Sequence, residues 1–567
     1  MLKEVKVNKL TGHSKSGKVG KVYIREDDDI KSGDDLLDVE SNKGNITISS
    51  DFDGVIKEVK VDTGDEVNIG DVVALIEGEE NSKKGSGKSS FSYMSGIMKP
   101  KKREVESDIT IIGAGPGGYV AAIWAAKLGA KVSLIEKENI GGTCLNWGCI
   151  PTKAMVKSAE VFREMKESEK YGVLGENIRL DINKVIDRKN NIVKELVGGI
   201  EHLIDKNNIE LFKGEGNIVN DKKIFVKTKK EEVTINTKNT IISTGSKTSI
   251  PPIKGVDSNN VFTSKEILDI DKLPDKLTII GGGVIGMEFA FIFNNFGVDV
   301  TVIEYNDKVL SMLDDDVIDE IEGIAKKKGI KLLTNSKVKE VIDTEDNKII
   351  ISFDNSNCKK YITSDKVLVA VGRKPNIEGL GIEKLDIKTN KNNSIVVNER
   401  LQTNISNIYA VGDVTDIMQL AHVASHQGIV AVENILKGKK KMDYSVVPSA
   451  IFTDPEIATV GLTEKKAKKD NIDIEIGKFP YGANGKALTL GNREGFVKII
   501  KEKKTNKILG ASIIGVNGTD LIHELTLAIK NGLTDKDIIE TIHAHPTTAE
   551  TIHEAALGTT EYGFIHY

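Results

Sequence analysis

Two cysteines in a glycine-rich stretch are the first residues of this 567-residue chain whose types and spacing could do chemistry. In Gly141-Gly142-Thr143-Cys144-Leu145-Asn146-Trp147-Gly148-Cys149-Ile150-Pro151-Thr152-Lys153, four residues separate Cys144 from Cys149. That spacing can bridge after a half-turn of backbone, and a helix beginning there would favour a thiolate. Two plainer readings compete. A metal site needs about four ligands, and no second Cys or His pair lies nearby. Buried inert cysteines would not need the Gly-Gly-Thr and Trp-Gly surroundings. Cys358, alone in a polar stretch, reads as structural or incidental. A second candidate group stands near the end, in His543-Ala544-His545-Pro546-Thr547-Thr548-Ala549-Glu550. Only a thiolate attacks a disulfide sulfur, so oxidising a dithiol needs a base. Histidine as a residue type titrates in the right range, which makes His545 the candidate, and Glu550, expected one turn into the following helix, could fix its tautomer. Taken alone, such a histidine is more often a cap or a packing residue.

The elements that must position these groups are alternating strands and helices. Ile109–Ile112 reads as a buried strand, Tyr119–Leu128 as a helix and Val132–Ile135 as the next strand, and the layout recurs at Leu277–Ile280, Val284–Phe296 and Val300–Ile303. Gly113, Gly115 and Gly118 form G-x-G-x-x-G between the first strand and helix; Gly281, Gly283 and Gly286 repeat it. Glu136 and Glu304 each follow the first glycine of their motif by 23 residues. Glycines allow the tight turn and a close approach to a pyrophosphate, the helix N-terminus faces it, and the acid takes ribose hydroxyls. One such motif is weak; two in full strand–helix–strand–acid context predict two doubly wound dinucleotide-binding units. After Glu304 come Tyr305, Asn306 and Asp307, with no arginine for a 2′-phosphate, which favours NAD over NADP.

Composition narrows the classes. Hydrophobic residues at 39% and charged residues at 29% fit a globular chain, and the net charge of −5 leaves no nucleic-acid footprint. Aromatics at 5% make base-stacking platforms a poor reading. No window approaches the roughly 18 apolar residues of a membrane span, and the start lacks a signal-peptide core. Three cysteines cannot be a disulfide scaffold, so a reducing cytoplasm is the default compartment.

Ahead of these units lies an internal repeat. Residues 17–40 align with 54–77 at an offset of 37, matching Gly17 with Gly54, Ile30 with Val67 and Glu40 with Glu77. Alternating apolar residues punctuated by Gly-Asp turns predict short antiparallel strands forming a flattened barrel with a pseudo-twofold. Glu40-Ser41-Asn42-Lys43-Gly44-Asn45 would be its exposed hairpin tip. Residues 79–106, rich in Gly, Ser and Lys, read as a flexible linker spanning roughly 30 Å r.m.s. and about 95 Å when stretched. Its basic charge could dock an acidic partner or simply keep it solvated.

From residue 106 to the end, the glycine motifs, Gly-Gly-Thr-Cys-Leu-Asn-x-Gly-Cys-Ile-Pro-Thr-Lys and His-Pro-Thr resemble the pyridine nucleotide–disulfide oxidoreductases, most closely the dihydrolipoamide dehydrogenase branch. The resemblance implies that the first motif holds FAD and the second NAD, with Cys144 and Cys149 as the redox disulfide. It implies Lys153 near flavin N5 with Glu288 as its ion partner, Gly216 on the adenine side, and Gly412-Asp413 at the ribityl and phosphate portion. Ala421 would add a backbone contact, and Gly372-Arg373 would lie on the NAD side. His545 and Glu550 become the base and its orienting acid, and His543 a supporting residue. The implied assembly is a homodimer in which the base serves the partner's disulfide, working with lipoylated acyltransferase or carrier components of a 2-oxo acid dehydrogenase-type complex.

The repeat resembles lipoyl domains, which share a fold with biotin carriers. Lys43 would carry the lipoyl group, since biotin carriers favour a methionine on each side and here Asn42 and Gly44 flank the lysine. Asn42 and Gly44 replace the usual aspartate and alanine. The expected organisation is a lipoyl-type all-β domain (1–78), linker (79–106), FAD-binding domain (107–255), NAD-binding domain (256–376), central FAD-binding segment (377–446) and α+β dimerisation domain (447–567). The fold class is α/β, with two Rossmann-like domains.

Overall fold

The computed structural model describes residues 2–7, 16–30, 34–41, 44–50, 54–77, 101–356, 358–438 and 440–567. The chain divides into two compact units, Met1–Met98 and Lys99–Tyr567.

In the first unit the 37-residue repeat becomes two four-stranded antiparallel sheets. One holds Leu2–Lys6, Val72–Glu77, Gly54–Val59 and Asp29–Ile30; the other holds Gly44–Ser49, Asp35–Ser41, Ser16–Val22 and Glu66–Asn68. Each half of the repeat pairs its own long strands and lends its short strand to the other sheet: Asp29–Ile30 pairs with Gly54–Val59, and Glu66–Asn68 with Ser16–Val22. The matched glycines do matched work. A Cβ on Gly17 would meet Val39 Cγ1 at 2.6 Å, and one on Gly54 would meet Ile76 Cγ2 at 2.8 Å, at equivalent places. Leu36, Leu37, Val39, Ile56, Val73 and Ile76 are buried in a shared core.

The second unit opens on a strand that begins earlier than its sequence suggests. Lys101–Ile112 is one continuous strand, and Lys101–Glu106 pair in register with Glu231–Asn236. The expected linker to residue 106 is therefore corrected at its end. Val105 is buried, and Arg103 meets Glu210 and Glu231, so charge that looked solvated is matched by neighbouring strands. The strand sits inside a six-stranded sheet, parallel to Val132–Glu136 on one side and Glu231–Ile242 on the other. Helix α1 (Pro116–Lys127) follows the first glycine turn. Then come α2 (Gly142–Trp147), α3 (Cys149–Lys166) and α4 (Ile182–Lys206).

The second dinucleotide unit is a five-stranded parallel sheet, with Lys276–Ile280 between Asp299–Ile303 and Lys366–Val369. Helices α5 (Val284–Asn295) and α6 (Asp315–Lys327) belong to it. A core containing Met155 and Ala159 of α3 with Met287, Phe289, Phe291 and Phe293 of α5 joins the two glycine-turn domains within the second unit. Each buried phenylalanine contributes about 1.5–3 kcal/mol, so this helix contact is a firm platform. Residues 447–567 add an antiparallel five-stranded sheet packed against Gly518–Asn531 and Glu550–Leu557, the expected α+β arrangement. Among the described residues, no helix is long and apolar enough to cross a membrane.

Candidate active site

Both glycine turns are built alike, each glycine for its own reason. A Cβ on Gly113 would strike Ser243 O at 2.3 Å, and one on Gly281 would strike Ala370 O at 2.5 Å. A Cβ on Gly118 or Gly286 would strike the carbonyl oxygen of Gly113 or Gly281 at 1.8 and 1.9 Å. The middle glycines differ. Gly115 would meet nothing nearer than Gly142 Cα at 4.0 Å, and Gly283 nothing within 4 Å. These two are the N-caps of α1 and α5, so unpaired helix N–H groups border an open edge without side chains. Such a cradle fits a pyrophosphate at both places. The acids serve their turns as well. Glu136 accepts from Ala114 N at 2.8 Å and Glu138 N at 2.7 Å, and Glu304 from Gly282 N at 2.6 Å and Asn306 N at 2.7 Å. Burial raises the Glu136 carboxyl against the pull of those N–H donors. Gly283→Val would fill the second edge alone: flavin content should stay, while KM for the nicotinamide substrate rises at least about tenfold, a loss of ~1.4 kcal/mol. Steady-state kinetics on flavin-replete protein reads this directly.

Cys144 lies inside α2 and Cys149 is the first residue of α3, so Gly148 breaks what would otherwise be one helix. A side chain at Gly148 would press on Thr143 O at 2.8 Å and Cys144 Cα at 3.3 Å, so only glycine permits the turn that brings the sulfurs together. Their ionisations split. The Cys149 sulfur beside it, followed by burial, pushes the Cys144 thiol well up. Cys149 falls to about 7, through the hydrogen bond with Cys144 and the Lys153 ammonium, against burial and Glu288. Lys153 Nζ bridges both Glu288 carboxylate oxygens at 2.9 Å, and Glu288 is buried on α5. Phe452 closes this pair: its N–H donates to Glu288 Oε1 at 2.9 Å and its ring lies 4.3 Å from Lys153 Nζ.

A further network borders the cysteines. Arg373 Nε donates to Ser246 Oγ at 2.7 Å, Ser246 Oγ donates to Asp413 Oδ2 at 2.5 Å, and Arg373 Nη2 reaches Thr143 Oγ1 at 3.4 Å. Asp413 is the second residue of the short 3-10 turn Gly412–Thr415, and the Gly412 N–H donates to the buried Gln427 at 2.6 Å. Ala421 is the first residue of the helix Ala421–Leu436. Gly216 lies in the strand Glu210–Asn220, where a Cβ would touch Ile135 and Ile112. Gly372 adopts a positive φ of 119° just ahead of Arg373.

His545 Nδ1 pairs with Glu550 Oε1 at 2.9 Å, and Thr547 N donates to Glu550 Oε2 at 2.9 Å. Glu550 begins the helix Glu550–Leu557 and does not sit one turn into it. From that first position it reaches back five residues to His545. Burial works against its ionised form, yet the Thr547 N–H and His545 hold it below the usual carboxylate range. The His545 ring is largely exposed, with side-chain accessibility of 78%. His543 is covered and bonded to Glu524 at 2.9 Å. In the N-terminal unit, strand pairing runs up to Ser41 opposite Gly44; Lys43 lies outside the described residues. Sequence reading missed Phe452, Ser246 and Gln427, which carry no motif of their own.

The paired glycine turns, the split cysteine pair and the His–Glu couple define a flavin- and nicotinamide-dependent disulfide oxidoreductase. The chain belongs to the pyridine nucleotide-disulphide oxidoreductase family, whose signature matches residues 107–428, with the dimerisation domain of the same family at 447–556. Residues 3–76 match the signature described as biotin-requiring enzyme, shared by biotinyl and lipoyl carriers. Among curated proteins, the dihydrolipoyl dehydrogenase of Bacillus subtilis is 44% identical over 464 residues, covering 80% of this chain and 98% of its own. That of Geobacillus stearothermophilus is 42% identical over 459 residues, with 80% and 97% covered. Among solved structures, LpdA from Mycobacterium tuberculosis superposes with a TM-score of 0.75 at 26% identity, over 80% of this chain and 99% of that one. The HOCl-induced flavoprotein disulfide reductase RclA from Escherichia coli gives 0.72 at 31%, over 79% and 99%.

Proposed function

We propose that this chain oxidises protein-bound dihydrolipoyl groups to lipoyl groups with NAD⁺ as acceptor, and that Lys43 of its own N-terminal unit carries one such group. One observation carries the reading: a carrier-type unit shares a polypeptide with a catalytic unit whose 42–44% identical relatives are dihydrolipoyl dehydrogenases. Tethering the carrier raises the effective concentration of its dithiol at the catalytic unit without any new contact. The working form is a homodimer, and lipoylated components of a 2-oxo acid dehydrogenase-type complex are its other substrates.

The chain's own residues then act as follows. His545, held by Glu550, takes the proton of one substrate thiol, and that sulfur attacks Cys144. The new substrate–Cys144 bond forms as the Cys144–Cys149 bond breaks. Cys149 leaves with the electron pair, as the sulfur whose anion the site favours. The second substrate thiol gives its proton to the departing Cys144 sulfur as it closes the five-membered disulfide. This leaves oxidised substrate, a Cys144 thiol and a Cys149 thiolate, with the first proton still on His545. Lys153 stays beside Cys149 to hold its charge, and Glu288 stops Lys153 from turning away. FAD at the first glycine turn and NAD⁺ at the second supply the two-electron route that restores the disulfide.

The decisive experiment is intact-mass and peptide analysis of protein from its native source, followed by anaerobic addition of NAD⁺ to the chemically reduced chain. A lipoyl increment on Lys43 is expected, with up to two NADH per chain, one from the reduced cysteine pair and a second from the tethered dithiol. An unmodified lysine in growing cells and a single NADH per chain remove the carrier role. The cofactor choice has its own check. Glu304 is buried at its strand end and no arginine follows it, so NAD⁺ should exceed NADP⁺ in kcat/KM by at least about a hundredfold. Comparable rates with the two would overturn that preference.

A further inference from the structure

Segment 452–454 touches both helices of the site at two levels. At the first level, Phe452 gives its N–H to Glu288 of α5 and sets its ring over Lys153 of α3. At the second, the single oxygen Asp454 Oδ2 gathers Arg163 from the last turn of α3, Asn295 from the end of α5 at 3.1 Å, and Lys328 just past α6 at 2.9 Å. Arg163 lies ten residues beyond Lys153, about 15 Å along the helix axis. Two residues of one three-residue segment therefore pin α3 against α5, near the catalytic pair and again near the far end.

We infer that Asp454 is a positioning residue for Cys149: by locking α3 to α5 it fixes the register in which Lys153 meets Glu288, and so where the ammonium sits beside the sulfur. Nothing in the disulfide chemistry requires a carboxylate there, and Asp454 acts only through other groups. The surroundings supply the right forces. Lys328 and Arg163 hold the half-buried Asp454 carboxyl ionised against its desolvation. Arg163 is half-enclosed, and Asp454 is the carboxylate it pairs with among the described residues, although Glu160 and Glu167 lie close enough to favour its charge. The groups facing Cys149 are Cys144 on α2, Lys153 on its own helix, Glu288 on α5 and Arg373 on the sheet side. Of these, Lys153 and Glu288 are set by the α3–α5 register.

The inference rests on the disulfide-oxidoreductase reading only for the role of Cys149 as the leaving sulfur, and its test uses no substrate. Full-length protein, reduced under anaerobic conditions, is alkylated with iodoacetamide across pH, and the initial rate at Cys149 is read by peptide mass spectrometry. Asp454→Asn should raise the alkylation midpoint by about one pH unit, which leaves about tenfold less thiolate below the midpoint. Asp454→Glu should return it most of the way. The sign discriminates. Deleting a negative charge by through-space electrostatics alone would lower the midpoint, and a purely structural residue would reduce thermal stability without moving it. Either result overturns the positioning role and leaves the substrate assignment standing. Should Asp454→Asn fail to accumulate as folded protein, Asn295→Ala carries the same test without changing any charge, since its amide donates to the same Asp454 oxygen: a smaller upward shift supports the role and an unmoved midpoint refutes it.

Discussion

Cys149→Ser should leave the full-length protein yellow with bound flavin and reduce dithiol-driven NADH formation by about a thousandfold or more. Serine preserves the size and the start of α3, so neither glycine turn is disturbed. What disappears is the sulfur that must leave with an electron pair when Cys144 is attacked. An alkoxide is a far poorer leaving group and forms no disulfide, so no weakened version of the same path remains. The control is built into the enzyme: transfer from NADH to an artificial acceptor should survive, because it needs the two cradles and not the cysteines. Loss of both activities would mean a damaged fold, and retained dithiol oxidation would remove the cysteine pair from the mechanism. In the unmodified reduced protein, the Cys149 pKa of about 7 sets the matching pH dependence. Alkylation at Cys149 should be half-maximal near neutral pH and rise towards alkaline pH, well below the range of an ordinary thiol.

How far these groups could be read in the sequence depends on how local their geometry is. The glycine turns, the cysteine pair and His545 with Glu550 are each specified within a few residues, so residue type and spacing determine their geometry. The strand–helix–strand order around Gly113 and Gly281 follows for the same reason. Lys101–Glu106 was misread because its partners, Glu210 and Glu231, lie more than a hundred residues away in sequence. Without them a basic run reads as solvated chain. Phe452 and Asp454 were invisible for a related cause. Their role lies in meeting α3 and α5, elements about 160 to 300 residues earlier, and a Phe-Thr-Asp-Pro turn advertises no such contact. Glu550 was placed correctly as a partner but one turn too deep, since helix starts are fixed by caps and not by apolar periodicity.

His545→Gln should lower dithiol oxidation by about 10²–10⁴-fold, or roughly 3–5 kcal/mol of barrier, with little change in flavin content or in NADH-to-acceptor transfer. Glutamine can occupy the place opposite Glu550 but cannot take a proton from the substrate thiol. Rate should therefore return partly as rising pH supplies ionised dithiol from solution, and the variant's profile should climb where the wild type has levelled. The exposure of His545 indicates where its substrate must come from. The His545 side chain is 78% accessible and pairs with Glu550 through Nδ1, which leaves the other nitrogen available to a substrate thiol. In the dimer that nitrogen would face the cysteines of the second chain, and subunit mixing turns this into a binary result. Coexpressed Cys149→Ser and His545→Gln chains, isolated as heterodimers by two different tags, contain one site with both defects and one with neither if the base acts across the interface. Such heterodimers should recover close to half the wild-type rate, although each parent homodimer is almost inactive. If each chain uses its own histidine, both sites of the heterodimer carry one defect and activity stays near zero, which would place the base in the same subunit as its disulfide.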